Sequence, residues 1–163
     1  MQSGKTTVAR ALAKKHGYVQ LSFANYLRED LVAMGFDKQA LYETKPPWAR
    51  KLMQAYGAAR RAQYPGYWLD KLVRSVHMCK PGTVFIVDDV RFPNEAEYIR
   101  KNGMVIRLER PGIPNPDADA SETALDDYQG FQGVVYGEEG PGALSDLIQH
   151  VEDVLWYEGV VRE

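Results

Sequence analysis

A single cysteine, Cys79, stands in 163 residues, and three histidines are spread over the whole length. No intrachain disulfide can therefore hold this fold, and the chain suits a reducing compartment. Cys79 reads as a passive helix residue. His16, His77 and His150 lack the spacing of metal ligands and read as surface or helix-end residues. Charge of one sign is also missing: Lys and Arg total 20 against 22 Asp and Glu, a net charge of −2. That balance argues against bulk attraction to polymeric nucleic acid or to an anionic membrane. Basic residues that bind phosphate must then be clustered locally. No apolar run approaches the roughly 20 residues that a membrane helix requires. Nothing has the pattern of a secretory leader, and no repeat or low-complexity tract is present. What remains is a length and composition fitting one compact α/β domain over residues 1–163, with a sizeable core.

The chain opens on Met1-Gln2-Ser3-Gly4-Lys5-Thr6-Thr7. This reads as the second half of a phosphate-binding loop, G-x-x-x-x-G-K-[ST]. The loop's first glycine, and the apolar strand that feeds it, would stand just ahead of Met1. Gly4 lets backbone approach a phosphate with no Cβ in the way. Successive N–H groups there form an anion nest where the helix dipole also favours negative charge. Lys5 would reach the β/γ-phosphates and the Thr6 hydroxyl would ligate Mg²⁺. Ser3 and Thr7 complete the cradle. A helix follows through His16, with Gly17 as its stop.

Strand and helix signals then alternate. Short strands are expected at Tyr18–Phe23, Val84–Val87, Met104–Leu108 and Val134–Tyr136. Helices are expected at Ala24–Met34, Trp48–Gln63, Tyr67–Met78, Pro93–Asn102, Ser121–Tyr128 and Ala143–Tyr157. The apolar run Val84-Phe85-Ile86-Val87 has the character of a buried parallel strand. Alternation of this kind predicts a parallel sheet covered by helices on both faces. Residues 111–120, rich in Pro and Asp, form a candidate lid loop. Trp48 and Trp156 are expected to pack in the interior.

Asp88-Asp89 follows the apolar strand, at the strand end where α/β sheets bind ligands. A carboxylate there holds Mg²⁺ or its water shell. Arg91, just beyond, can neutralise charge on a transferring phosphoryl group.

Asp89-Val90-Arg91-Phe92-Pro93-Asn94-Glu95 resembles the D-V-R-F-x-N-E segment of the phage-type deoxynucleoside monophosphate kinases. Phe23-Ala24 with Leu27-Arg28 resembles that family's F-A-x-x-L-[KR] stretch. Leu52 to Gly57, then Arg60-Arg61 and Tyr67-Trp68, resembles its L-x-Q-x-x-G … R … W helix pair. Val105 to Pro111 and Ser121 to Tyr128 resemble its later R-x-x-R-P and S-E-x-x-L-D segments. The ordered set covers nearly the whole chain. It departs at Ala58-Ala59, where the family often has Thr-Glu.

The resemblance implies a P-loop nucleoside monophosphate kinase-like fold, here without its first strand. It implies transfer of the ATP γ-phosphate to a deoxynucleoside monophosphate with Mg²⁺. Lys5, Asp89 and Arg91 are the expected catalytic residues. Ser3, Gly4, Lys5, Thr6, Thr7 and Arg110 are expected to bind ATP, and Thr6 and Asp89 the metal. Phe23, Arg28, Gln54, Arg60, Arg61, Trp68, Arg91 and Glu95 are expected on the acceptor, with the arginine forks suited to bidentate phosphate contact. Arg60 and Arg61 are adjacent on a helix, so one is expected to serve the site and the other the solvent. The partner is a small nucleotide, with no nucleic-acid polymer and no membrane. The oligomeric state stays open between monomer and homodimer. The expected location is the cytoplasm, that of a bacterial host if the chain is phage-encoded. Two other functions fit the same residues: a P-loop kinase of another small phosphorylated acceptor, and a nucleotide-binding remnant with little or no turnover.

Overall fold

Gly4 sets the first element. Its left-handed backbone, φ +80°, turns the chain into helix α1, Lys5–His16. Gly17, again left-handed, ends that helix by donating its N–H to Ala13 O, the usual glycine stop. A computed structural model describes residues 4–109, 123–138, 140 and 142–160. Strand β1 (Val19–Leu21) and helix α2 (Phe23–Ala33) come next. A π-helical turn, Ala40–Thr44, precedes the long helix α3 (Pro47–Gln63) and helix α4 (Tyr67–His77). Strand β2 (Phe85–Val87), helix α5 (Pro93–Asn102), strands β3 (Ile106–Glu109) and β4 (Gly133–Tyr136), and helix α6 (Ala143–Tyr157) complete the order. The class is α/β, as the alternating pattern predicts.

The chain divides into two compact units, residues 1–20 with 90–163, and residues 21–89. In the first unit β3 and β4 pair in parallel, Ile106 opposite Gly133 through Glu109 opposite Tyr136. Helix α6 packs on β4 and on α1. Its buried face is Leu147, Val151 and Leu155, and that of α1 is Val8, Ala9 and Leu12. Both sets recur at helical spacing, the mark of one apolar stripe facing a core. Glu152 lies within that contact, 8% exposed, and accepts from Lys15 Nζ at 2.7 Å while pairing with His16 Nε2 at 2.8 Å. His16 is thus a packing partner rather than a simple surface residue.

In the second unit α2 packs on α3 and α4, and the π turn packs on α3. Gly57 permits the close approach of α3: a Cβ there would meet Leu27 Cδ1 at 3.0 Å. Its carbonyl accepts from Trp68 Nε1 at 3.2 Å. Strand β2 pairs with β1. It is only half-buried, and Val84 before it is 43% exposed. The apolar run predicts full burial, but β2 has one strand neighbour among the described residues, so it is covered less than a strand inside a sheet.

Trp48 and Trp156 also depart from expectation, standing 48% and 62% exposed. Each sits in the terminal turn of a helix, where fewer neighbours are within reach. The candidate lid 111–120 and residues 121–122 lie outside the described residues, and the helix expected at Ser121–Tyr128 is not continued: residues 124–127 form turns.

Candidate active site

The donor half of the expected site begins at Gly4. Its carbonyl accepts from Val8 N at 2.9 Å, closing the first turn of α1. Lys5, Thr6 and Thr7 occupy that turn and are exposed. The first N–H groups of any helix have no acceptor within it. Here a left-handed glycine leads straight into them, and helix starts of this kind favour anions. Ser3 and Arg110, the other expected ATP contacts, lie outside the described residues.

The paired acids at the end of β2 separate into two roles. Asp89 caps α2 from 65 to 67 residues away in sequence. Its Oδ1 accepts from Phe23 N at 2.9 Å, and its Oδ2 accepts from Ala24 N at 2.8 Å and Ser22 Oγ at 2.7 Å. Burial pushes the carboxyl above its ordinary value, and these three bonds pull it back down. Asp88 differs. Its Oδ1 is buried and has no hydrogen-bond partner among the described residues. An unmet buried acceptor of this kind costs about 1–3 kcal/mol, and filling it is what a cation or its hydration shell does. Asp89, expected to hold the metal, is engaged in capping a helix, whereas Asp88 keeps an unmet carboxylate oxygen. No cluster of three or more His, Cys, Asp or Glu suited to a metal occurs among the described residues.

Three residues expected on the acceptor are turned inward. Trp68 is 1% exposed, its indole edge-on to Tyr56 and Tyr67. Phe23 is 5% exposed in the first turn of α2. Neither presents a face on which a base could stack. Glu95 is 2% exposed, and its Oε2 accepts from Arg91 N at 2.9 Å and Phe92 N at 3.1 Å. It caps α5 from the third helical position, so the N-E of the motif builds a helix start.

The remaining acceptor residues keep polar groups at or near the surface. Arg91 is exposed, and Gln54 and Arg61 are half-buried on α3. Arg28, on α2, donates from Nη1 to Asn25 Oδ1 at 2.8 Å, and its guanidinium lies 5.4 Å from the centre of the Tyr42 ring. Its Nε is buried without a hydrogen-bond acceptor among the described residues. Arg60 donates from Nε to the Tyr56 hydroxyl at 2.9 Å and stands 5.2 Å and 5.1 Å from the centres of the Tyr56 and Tyr67 rings.

Arg60 thereby joins a network that sequence reasoning missed. Asp30 accepts from Lys71 Nζ at 2.6 Å, Tyr67 OH at 2.9 Å and Tyr56 OH at 3.2 Å. These residues come from α2, α3 and α4 and tie the three helices through one carboxylate. Burial would raise the Asp30 carboxyl, but the Lys71 and Tyr67 bonds outweigh it and hold the group below its ordinary value. Burial, with the Asp30 bond and charge, pushes Tyr67 up to about 12. No short-range motif signals such a network, since its members are 26 to 41 residues apart from Asp30.

No protein-family model matches the chain. Its sequence is similar to a protein of Acanthamoeba polyphaga mimivirus. The two are 27% identical over 163 aligned positions, covering 82% of this chain and 82% of that protein. The mimivirus protein is named "Putative deoxynucleotide monophosphate kinase". No helix among the described residues is long and apolar enough to cross a membrane.

Proposed function

We propose that the chain is an ATP- and Mg²⁺-dependent phosphotransferase that converts a deoxynucleoside monophosphate to the diphosphate. The observation that carries this reading is Gly4, left-handed and directly ahead of Lys5 and Thr6 at the exposed start of α1. The mimivirus protein, by its name, supports the same class of reaction.

Phosphoryl transfer leaves little covalent work for protein groups, so positioning and electrostatics do most of it. The start of α1 would take the donor's phosphates on its N–H groups, with Lys5 adding a point charge. Arg28, Arg60, Arg61, Arg91 and Gln54 are the groups we assign to the acceptor and to the transferring phosphoryl. The Thr6 hydroxyl and the Asp88 carboxylate are oxygen donors of the kind that Mg²⁺ takes. When bound, the ion neutralises charge that builds up on the phosphate oxygens.

The test is a panel of nucleoside monophosphates and other phosphorylated small molecules, incubated with ATP and Mg²⁺ and followed by ADP release. Deoxynucleoside monophosphates should be the best acceptors. Lys5→Ala should lower kcat by about a hundredfold, as loss of one transition-state contact does, with the melting temperature unchanged. Transfer to a different acceptor would keep the kinase and change its substrate. ATP binding with no transfer to any acceptor would point to a nucleotide-binding protein instead.

A further inference from the structure

Three irregularities meet at one place in the second unit. The first is the π-helical turn Ala40–Thr44, a geometry that is rare and concentrated at functional sites. The second is Lys45, which closes that turn by donating its N–H to Ala40 O at 3.0 Å. At φ +46° it is the one non-glycine residue with positive φ among those described. Such backbone persists only where the surroundings hold it. The third is Arg28 Nε, a buried donor that meets no acceptor among the described residues.

The link between them is Tyr42. Ala40 and Leu41, 5% and 1% exposed, anchor the turn in the core, and Tyr42 follows directly with its ring under the Arg28 guanidinium. A free surface arginine relaxes until every N–H is hydrated. Arg28 instead turns Nε inward at a cost, so its posture is set by what grips the other end. Those grips are the Tyr42 ring and Asn25 Oδ1. Nε is buried while the Nη1–Asn25 bond is exposed, so the far end of the guanidinium is turned outward. An arginine fork held in that way is set to receive a planar pair of oxygens from a phosphate.

We propose that Tyr42, carried on the π turn, is a positioning residue that holds the Arg28 fork outward as the receptor for the phosphate of a monophosphate acceptor, with Asn25 as its second support. This rests on the phosphotransferase reading for the identity of the acceptor. The fork's chemistry alone would accept a phosphate monoester or inorganic phosphate. Neither Tyr42 nor Asn25 carries a signal in the sequence that singles it out. Glu29, beside Tyr42, and Arg28 act on the phenol in opposite directions, and burial raises it most. The hydroxyl therefore stays protonated at neutral pH, and the ring is what meets the arginine.

The experiment is calorimetric titration of the full chain with a panel of deoxynucleoside monophosphates, with inorganic phosphate and with ATP. The Arg28 Nε–H resonance is followed by NMR on the same samples. The native protein should bind a monophosphate, and both that ligand and inorganic phosphate should shift the Arg28 resonance. Tyr42→Leu should weaken monophosphate binding by about tenfold, within the range of a cation–π contact. Tyr42→Phe, which keeps the ring, should stay within about twofold of native. ATP affinity should be unchanged in both. In an Arg28→Ala background, Tyr42→Leu should have no further effect. Asn25→Ala, at an exposed position, gives the same test without touching the turn and should weaken binding by about threefold. Native-like binding by both Tyr42→Leu and Asn25→Ala would overturn the proposal. So would an undiminished Tyr42→Leu effect without Arg28, or failure of every monophosphate and of inorganic phosphate to bind. A response to inorganic phosphate alone would overturn the monophosphate assignment. Binding with this pattern but no phosphoryl transfer would sink the kinase reading and leave this one standing.

Discussion

Asp88 and Asp89 carry the same side chain, one bond apart in sequence, and do different work. Along an extended chain, neighbours point to opposite faces. That rule separates the two acids but does not say which face holds a ligand and which holds a helix. The resembled motif points to Asp89; we propose Asp88 for the ligand instead, because its Oδ1 is the unmet acceptor. Asp88→Asn removes the charge while keeping the shape. It should lower Mg²⁺-dependent turnover by about a hundredfold with little change in melting temperature. A Mg²⁺ titration of activity checks this, and an unchanged titration would remove Asp88 from the metal role.

Helix starts show the same division at the next scale. Ser22 precedes α2 in the residue type and position of an N-cap. Its hydroxyl instead donates to Asp89, and the Asp89 carboxylate accepts the N–H groups of Phe23 and Ala24. The cap is thus supplied by the end of another element. At α5 the cap is local, from Glu95 to the backbone of Arg91 and Phe92, and a short motif records it. Asp89→Asn turns an amide NH₂ toward donors that the carboxylate now accepts and should destabilise the protein by about 1–3 kcal/mol, while Mg²⁺ dependence stays native. Urea unfolding measures the first and the activity titration the second. A native midpoint would show that α2 does not depend on Asp89.

Across the molecule, acid should weaken the fold through the carboxylates held by partners. Lys15 donates to Glu152 and, against the opposing effect of burial, holds its carboxyl below the ordinary 4.5, with His16 adding to the shift. A folded value below the unfolded one means stability is present above pH 4.5 and is lost as pH falls through the folded value. Asp30 has the same sign. Asp89 has the opposite one, since burial raises it and protonation relieves the cost. Glu152→Gln should therefore melt lower than native at pH 7, by about 2–4 °C for each kcal/mol lost. The gap should close as pH drops below 4.5. Thermal melts across pH check this, and a gap that widens in acid would remove Glu152 as a stabilising anion. The same pair ties α1 to α6, so the change is felt by the unit containing Lys5.

Local physics determined much of this protein from the sequence alone. Glycine at 4 and 17, proline at 47 and 93, and apolar residues at helical spacing place the helices to within a residue or two. These are signals between near neighbours. The Gly4-Lys5-Thr6 start is legible for the same reason: three adjacent residues make the shape. Tertiary structure decided which side chains are free to act. Trp68, Phe23 and Glu95 carry chemistry that suits a substrate, yet packing and capping turn them inward. Asp30 and Tyr42 have no local signal, because their partners belong to other elements of the fold. Burial and long-range hydrogen bonds depend on what the rest of the chain brings into contact. Composition and spacing can suggest a functional group, but only the folded contacts determine whether that group remains available.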